Sequence, residues 1–377
     1  MRVDLPYGRT PYTLDLGDRE AEVLRTGERP APRPVETLLE QALSSHPVGR
    51  FDGARVTLVI SDPARSEPRA AFVEAVRRRL PNARLTIAVA TGTHGPARLA
   101  ELGIPAPLLE DTTIVNHDGH RDEDLIELGT TPGGTPVRVH RCVVDADLVV
   151  ATGCIRPHYF AGFGAGVKAI FPGLGQAAAI RINHRLKVHP RARAGIVDGN
   201  PCREDLEDAV ALLKTPTLLL NGVCGPDGQV HEIVIGDLVT TFREGVALAR
   251  PWFTVATRPA ALVIASDPLP VSASLYQAAK IAAAAAPFLE PQGVLVIVAE
   301  CADGVGPLEI VNEAIFRIGV VPRLPQGAKL VLISGRPREE VDRTLLEYAR
   351  SVDPYLPATG RILVLPRASH LLYEAPS

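Results

Sequence analysis

Residues 56–68 read VTLVISDPARSEP. An apolar, largely β-branched run leads directly into Ser61-Asp62-Pro63, so a strand over Arg55–Ser61 is predicted to end in a polar turn. A helix over Arg69–Leu80 and a second β-branched run over Leu85–Thr91 complete a strand–helix–strand unit. Further strands are predicted at Leu148–Thr152 and Thr217–Leu220, and further helices at Val35–Ser45 and Pro201–Leu213. The last helix opens with Asn200 as cap and Pro201 at its first position, with Glu204 and Asp205 near the positive helix end. A hairpin turn is expected at Gly225-Pro226-Asp227-Gly228, followed by a helix near Leu238–Arg250.

The pattern then restarts. Strands are predicted at Ala261–Ala265, Val294–Ala299, Leu330–Ile333 and Ile362–Leu365, alternating with helices near Ser274–Leu289, Pro307–Ile318 and Glu339–Arg350. Such alternation predicts the α/β class: two α/β domains with mostly parallel sheets and an active-site cleft between them. The expected division is residues 1–250 and 251–377, with the boundary near Pro251–Pro259, where Trp252 and two prolines interrupt the periodicity.

The 377 residues are enough for a sizeable core, and the net charge of -3 with 46% hydrophobic residues carries no polyanion-binding signature. No nucleic-acid partner is therefore expected. Five cysteines (Cys142, Cys154, Cys202, Cys224, Cys301) without a CxxC pair argue against a zinc knuckle or a disulfide framework. The start MRVDLPYGRT carries charges and a proline where a signal peptide has its apolar run, and no stretch of 18 apolar residues lacks a charge. The expectation is a cytoplasmic protein without membrane attachment.

Cations are almost all arginine, and only five lysines occur. One of them, Lys168, sits in RPHYFAGFGAGVKAIFPG at 156–173, among glycines and behind His158. An amine can lose its proton where a guanidinium cannot, so a lysine in this arginine-rich chain points to nucleophilic chemistry. The glycine-rich turn, with Gly164 and Gly166, is a candidate anion site because bare backbone amides can converge on a phosphate. It lacks the Gly-Lys-Ser/Thr ending of a P-loop, and a tight structural turn with a surface lysine is the alternative. His184 follows sixteen residues later, and the nearby Lys187 and His189 are expected at the surface.

Asp62 and Arg65 fall just beyond the carboxyl end of one predicted strand, and His94, in ATGTH at 90–94, beyond the next. Ligands of open α/β sheets bind at that end. Taken singly, Asp62 capping a turn and Arg65 in solvent would be the ordinary outcome. In SLYQAAKIAAAAAP at 274–287, Tyr276, Gln277 and Lys280 can share one polar helix face beside buried alanines, unless the first turn is simply solvated. AECADGVGP at 299–307, with Cys301 and Asp303, fits a structural strand-to-helix loop. His46, His117, His120, His140, His231 and His370 show no ligand spacing.

Together ATGTH, PHYFAGFGAGVKAIFPG, NHR at 183–185, GNPCRED at 199–205, LYQAAK at 275–280 and CADGVG at 301–306 resemble the nickel-pincer lactate racemase family over nearly the whole chain. The resemblance implies a nickel-pincer nucleotide (pyridinium-3,5-bisthiocarboxylic acid mononucleotide) covalently attached to Lys168, with His184 as nickel ligand. It makes His94 and His158 the acid/base pair and Arg65, Gln277 and Lys280 the substrate-carboxylate and hydroxyl contacts; the placement of the residues themselves adds Asp62, Gly164 and Gly166 as candidate cofactor contacts and Tyr276 as a candidate substrate contact. Residues 1–250 become the cofactor-binding catalytic domain, and 251–377 the domain contributing substrate contacts. The implied reaction is racemisation or epimerisation of an α-hydroxy acid, lactate-like or larger, by hydride transfer to and from the tethered group. Two faces of a planar 2-oxo acid need two bases, which accounts for two histidines. Cofactor-biosynthesis enzymes are implied as partners, and a homo-oligomer is left open.

Three departures bear on the cofactor contacts and the substrate. Gly164-Ala165-Gly166 stands where the family often has Ser-Gly-Gly, Gly95-Pro96 where Arg-Pro is common, and Trp252 is the sole tryptophan. The competing classes are an NAD-type 2-hydroxy acid dehydrogenase and a non-catalytic pincer-nucleotide binding protein. Against the first, no GxGxxG follows a strand with an acidic residue about 20 positions on. Against the second, a binding module needs neither His94 nor His158.

Overall fold

The computed structural model describes residues 1–376. The chain forms two compact units, Glu28–Trp252 and a second made of Met1–Gly27 with Phe253–Ser377.

In the unit Glu28–Trp252, six strands form one sheet. From edge to edge they are Val230–Gly236, Thr217–Cys224, Leu148–Ile155, Arg55–Ser61, Arg84–Ala90 and Thr113–Asn116. All neighbours are parallel except the hairpin that joins Thr217–Cys224 to Val230–Gly236, whose turn is the expected Gly225–Gly228 segment. The strands are longer than their β-branched cores, because pairing extends Leu148–Ile155 and Thr217–Cys224 through residues of lower β propensity. One sheet face presents Val56, Leu58, Ile60, Ile87, Val89, Val150 and Leu220 to Leu39 and Leu43 of the helix Val35–Ser45 and to Phe72, Val73 and Val76 of the helix Arg69–Arg79. Burying each such side chain stabilises the fold by about 1.5–3 kcal/mol.

The other unit has an all-parallel sheet ordered Glu347–Ala349, Lys329–Ile333, Leu289–Val298, Ala260–Ser266, Ile362–Leu365 and Glu22–Val23. Period-two alternation sends Val263, Ala265, Leu295 and Ile297 against the helix Leu275–Ala285, where Ala278, Ala282 and Ala285 are fully buried and let the helix lie close to the sheet. Leu262, Ile264, Val296 and Val298 face the opposite way, onto Leu5 and Leu14 of the hairpin Arg2–Leu5/Tyr12–Asp15 and onto Leu16 just after it.

Residues 1–27 therefore belong to this second unit, not to the expected 1–250 domain. They add the edge strand Glu22–Val23 and cover one face of its sheet. The expected helix Glu339–Arg350 is also corrected: a helix spans only Arg338–Val341, and Glu347–Ala349 is an edge strand paired with Val331–Ile333. No helix among the described residues is long and apolar enough to cross a membrane.

Candidate active site

The turn after Arg55–Ser61 is stapled by its own side chains. Glu67 accepts from the Ser61 amide at 2.6 Å and from the Thr152 hydroxyl at 2.5 Å. The buried Arg69 guanidinium donates to the Ser61 carbonyl at 2.7 Å, to the Arg65 carbonyl at 2.5 Å and to the Asp62 carbonyl. Asp62 is thereby held at the strand end, 4% exposed, with Oδ2 2.6 Å from His94 Nδ1. An ionised carboxylate can only accept, so this contact puts the neutral ring's hydrogen on Nδ1 and leaves the Nε2 lone pair for proton transfer.

His94 and the lysine loop are tied together through backbone and threonine contacts. The Gly92 amide donates to the Gly173 carbonyl at 2.9 Å, and the Thr91 hydroxyl to the His117 carbonyl at 2.7 Å. His117, which had no expected role, is buried and its Nε2 lies 3.0 Å from the Gly175 carbonyl. Burial pushes its pKa down to about 4, which keeps it neutral and structural.

Gly166 has φ +67°, and a Cβ there would come within 2.6 Å of the Arg203 guanidinium and 2.8 Å of the Phe242 ring. Glycine is required by both backbone and space. Gly164 is different, since its nearest neighbour to a Cβ would be 3.6 Å away. The expectation that bare amides of these glycines gather on a phosphate is corrected. Gly164 N donates to the Arg156 carbonyl at 2.8 Å and Gly166 N to Asn221 Oδ1 at 2.9 Å, so both amides are already spent on the turn.

This turn aims Lys168 into a cluster. Its Nζ lies 3.5 Å from His158 Nε2 and 5.4 Å from the centroid of the Phe160 ring. Desolvation, reinforced by repulsion from Arg65 and Arg203, lowers the Lys168 pKa to about 7, although a neighbouring Cys202 acts in the opposite sense. His158 Nδ1 accepts from the Ala161 amide at 3.2 Å, so exchange with a substrate runs through Nε2, on the lysine side. Phe160 also meets His184 edge-on at 4.9 Å. Burial first, then the Lys168 and Lys187 cations, push the His184 pKa down to about 3, leaving a neutral imidazole fit to ligate a metal. Arg65 joins the cluster electrostatically through its repulsion of the Lys168 cation, and burial, opposed by Asp62, lowers its own pKa.

The lowered amine pKa gives a direct expectation. Acylation of Lys168 by a small reagent, read from the mass of its peptide, should reach half its maximal rate near pH 7, rise above it and fall tenfold per unit below it. At pH 7 the neutral fraction is roughly 10³-fold that of an ordinary lysine, so a midpoint near 10.5 would remove the depressed pKa.

The family model described as "Lactate racemase N-terminal domain" matches residues 7–195. A curated lactate racemase of Thermoanaerobacterium thermosaccharolyticum is 30% identical over 357 residues, covering 90% of this chain and 82% of that protein. The chain belongs to the lactate racemase family. A lactate racemase of Lactiplantibacillus plantarum is 26% identical over 81% of this chain and 76% of its own length. The solved lactate racemase apoprotein of T. thermosaccharolyticum superposes with a TM-score of 0.86 at 24% identity, covering 99% of this chain and 100% of that one. A Thermotoga maritima protein shares the fold at a TM-score of 0.69 and 17% identity. By family the protein is an enzyme, a racemase of the isomerase class.

In this racemase-family chain, then, Asp62, Arg65, His94, His158, Lys168 and His184 all lie in the unit Glu28–Trp252. Tyr276, Gln277 and Lys280 lie in the other unit, on the helix Leu275–Ala285, which Ser274 caps by accepting from the Gln277 amide at 3.3 Å. There Lys280 Nζ donates to Gln277 Oε1 at 2.6 Å, and Tyr276 is exposed. Lys280 also acts on Asp267, a buried carboxyl whose pKa burial raises to about 7 against the hydrogen bonds from Ser369. Cys301 is buried and its thiol pushed up to about 12, and its amide and that of Asp303 bond to Ser272 and Ala273, which fits the structural loop expected there.

Sequence reading assigned no site role to Arg69, Arg203 or Asn221. Arg203 is fully buried, stacks 3.6 Å over Phe242, pairs with Glu207 at 2.9 Å and donates to the Ala165 carbonyl at 3.3 Å. The GNPCRED run held the only signal: an arginine on the inner face of a capped helix.

Proposed function

We propose that the protein racemises or epimerises an α-hydroxy acid, lactate or a larger 2-hydroxy carboxylate, with a nickel-pincer nucleotide joined to Lys168. The observation that carries this reading is Lys168 itself, a desolvated amine with its pKa lowered to about 7, 3.5 Å from His158 and electrostatically coupled to a neutral His184. The donor chemistry fits such a group. An amide-type link needs a neutral amine, and imidazole beside soft sulfur donors suits nickel. No group of three or more His, Cys, Asp or Glu side chains among the described residues is arranged to hold a metal ion, so a metal beside His184 would take its remaining donors from the bound group.

When bound, that group supplies a site that accepts and returns hydride. The chain's own residues do the rest. His94, oriented by Asp62, takes or gives the hydroxyl proton through Nε2, and His158 does the same from the other side. Arg65 provides a guanidinium for the substrate carboxylate. The same reading gives Gln277 and Lys280 carboxylate and hydroxyl contacts and Tyr276 a flanking contact. Cofactor-biosynthesis enzymes are the partners it requires.

The test is intact-mass and metal analysis of protein produced together with that biosynthetic machinery, alongside a polarimetric assay on 2-hydroxy acids. A mass gain mapped to Lys168 with nickel bound is expected, and neither in an active preparation would end the reading. His184→Ala should keep the mass gain and lose nickel, whereas full nickel occupancy in that variant would give His184 another role.

A further inference from the structure

The helix Ala177–Arg185 carries two adjacent side chains with different surroundings, His184 half-buried toward Lys168 and Asn183 fully buried. Asn183 Nδ2 donates to Asp205 Oδ2 at 2.8 Å and to the Cys202 carbonyl at 3.2 Å. A carbonyl can only accept, so the amide cannot be turned round without losing this bond. Asp205 is itself held from outside the helix pair. Its carboxylate accepts from the hydroxyl of Thr135 at 2.7 Å and from that of Thr131, both buried. Asn183 Oδ1 is therefore the atom left facing His184 Nδ1, at 3.1 Å, with the Cys202 thiol 3.4 Å from the same oxygen.

An amide oxygen accepts and never donates, so this contact exists for a neutral ring only when Nδ1 carries the hydrogen. Nε2 then holds the lone pair, and no hydrogen-bond partner of Nε2 is present among the described residues. We propose that Asn183, its amide fixed by Asp205 and the Cys202 carbonyl, is the positioning residue that sets His184 as the Nδ1–H tautomer and makes Nε2 the metal-binding atom. A solvated neutral histidine side chain favours the Nε2–H tautomer, so the protein must impose this one. A ligating histidine whose other nitrogen donates to a fixed acceptor is the arrangement that orients the ring and raises its basicity. The proposal rests on the proposed function only for the identity of what binds Nε2. The tautomer is a property of the protein without metal.

The experiment is ¹H–¹⁵N correlation NMR of the histidine rings in uniformly labelled full-length protein without cofactor, with His184 assigned by its absence in His184→Ala. A pyrrole-like Nδ1 and a pyridine-like Nε2 are expected, and a pyridine-like Nδ1 overturns the proposal. Asn183→Ala should move the signal toward the solution tautomer and, in protein made with the biosynthetic machinery, weaken nickel retention about 10- to 100-fold while the mass gain on Lys168 persists. An unchanged tautomer in Asn183→Ala also overturns it. Should that variant fail to fold, Asn183→Ser, which keeps a small polar side chain, gives the same readout. Absence of nickel and of the mass gain in the unaltered protein would count against the proposed function and leave the tautomer result standing.

Discussion

Replacing Lys168 with arginine is expected to abolish both racemisation and the mass gain, although the positive charge is kept. Arginine remains protonated at any pH the protein survives, so it offers no lone pair for a covalent link. Lys168, by contrast, has its pKa brought down to about 7 by desolvation and by Arg65 and Arg203. The same surroundings would press on a permanent cation, so Lys168→Ala serves as the control for fold. The two variants should behave alike in intact mass and in activity, each at background. An arginine variant that still gains mass, or still racemises, would move the attachment to another residue.

The second large effect concerns the two histidines separately. If His94 and His158 serve opposite faces of a planar 2-oxo acid, each single alanine variant removes the proton-transfer group for one half of the cycle. Both should lose racemisation by about 10²- to 10⁴-fold, the usual cost of a positioned general base. Substrate binding should survive, because carboxylate anchoring is assigned to Arg65 and Lys280. The discriminating measurement is a single-turnover chemical quench of cofactor-loaded protein, assayed for bound 2-oxo acid. One enantiomer should yield it in His94→Ala and its mirror image in His158→Ala. If both variants respond to the same enantiomer, one of the rings is structural.

Local pattern was enough for the central strands of both six-stranded sheets, but not for edge strands such as Thr113–Asn116 and Glu22–Val23. Arg55–Ser61 and Ile362–Leu365 run as expected, since a β-branched run between turn residues has few other conformations available once it is buried. It was enough, too, for the motif residues around Lys168, because a lysine amid glycines in an arginine-rich chain is locally unusual. Pattern failed at Glu339–Arg350, where helical spacing lost to the open edge of a sheet: Glu347–Ala349 pairs with Val331–Ile333 and satisfies backbone groups that a helix would have satisfied internally. It failed as well for the first 27 residues. Leu5, Leu14 and Leu16 mark an amphipathic hairpin, but nothing local says which sheet supplies the complementary face.

The site divides in the same way. His94, His158, Lys168 and His184 were legible as motifs, and Asp62 as a residue at a strand end. The parts that tune them were not. Asn183, Asp205, Arg203, Asn221 and Arg69 are ordinary residue types whose importance comes from partners far along the chain, as when Thr131 reaches Asp205 across 74 residues. By itself the sequence determined the four central strands of each six-stranded sheet and which side chains can do chemistry, because both follow from residue type and short-range spacing. Tertiary structure alone decided which sheet the N-terminal hairpin covers, which way the Asn183 amide points and how far the Lys168 amine is stripped of water, because each depends on buried partners that only the folded chain brings together.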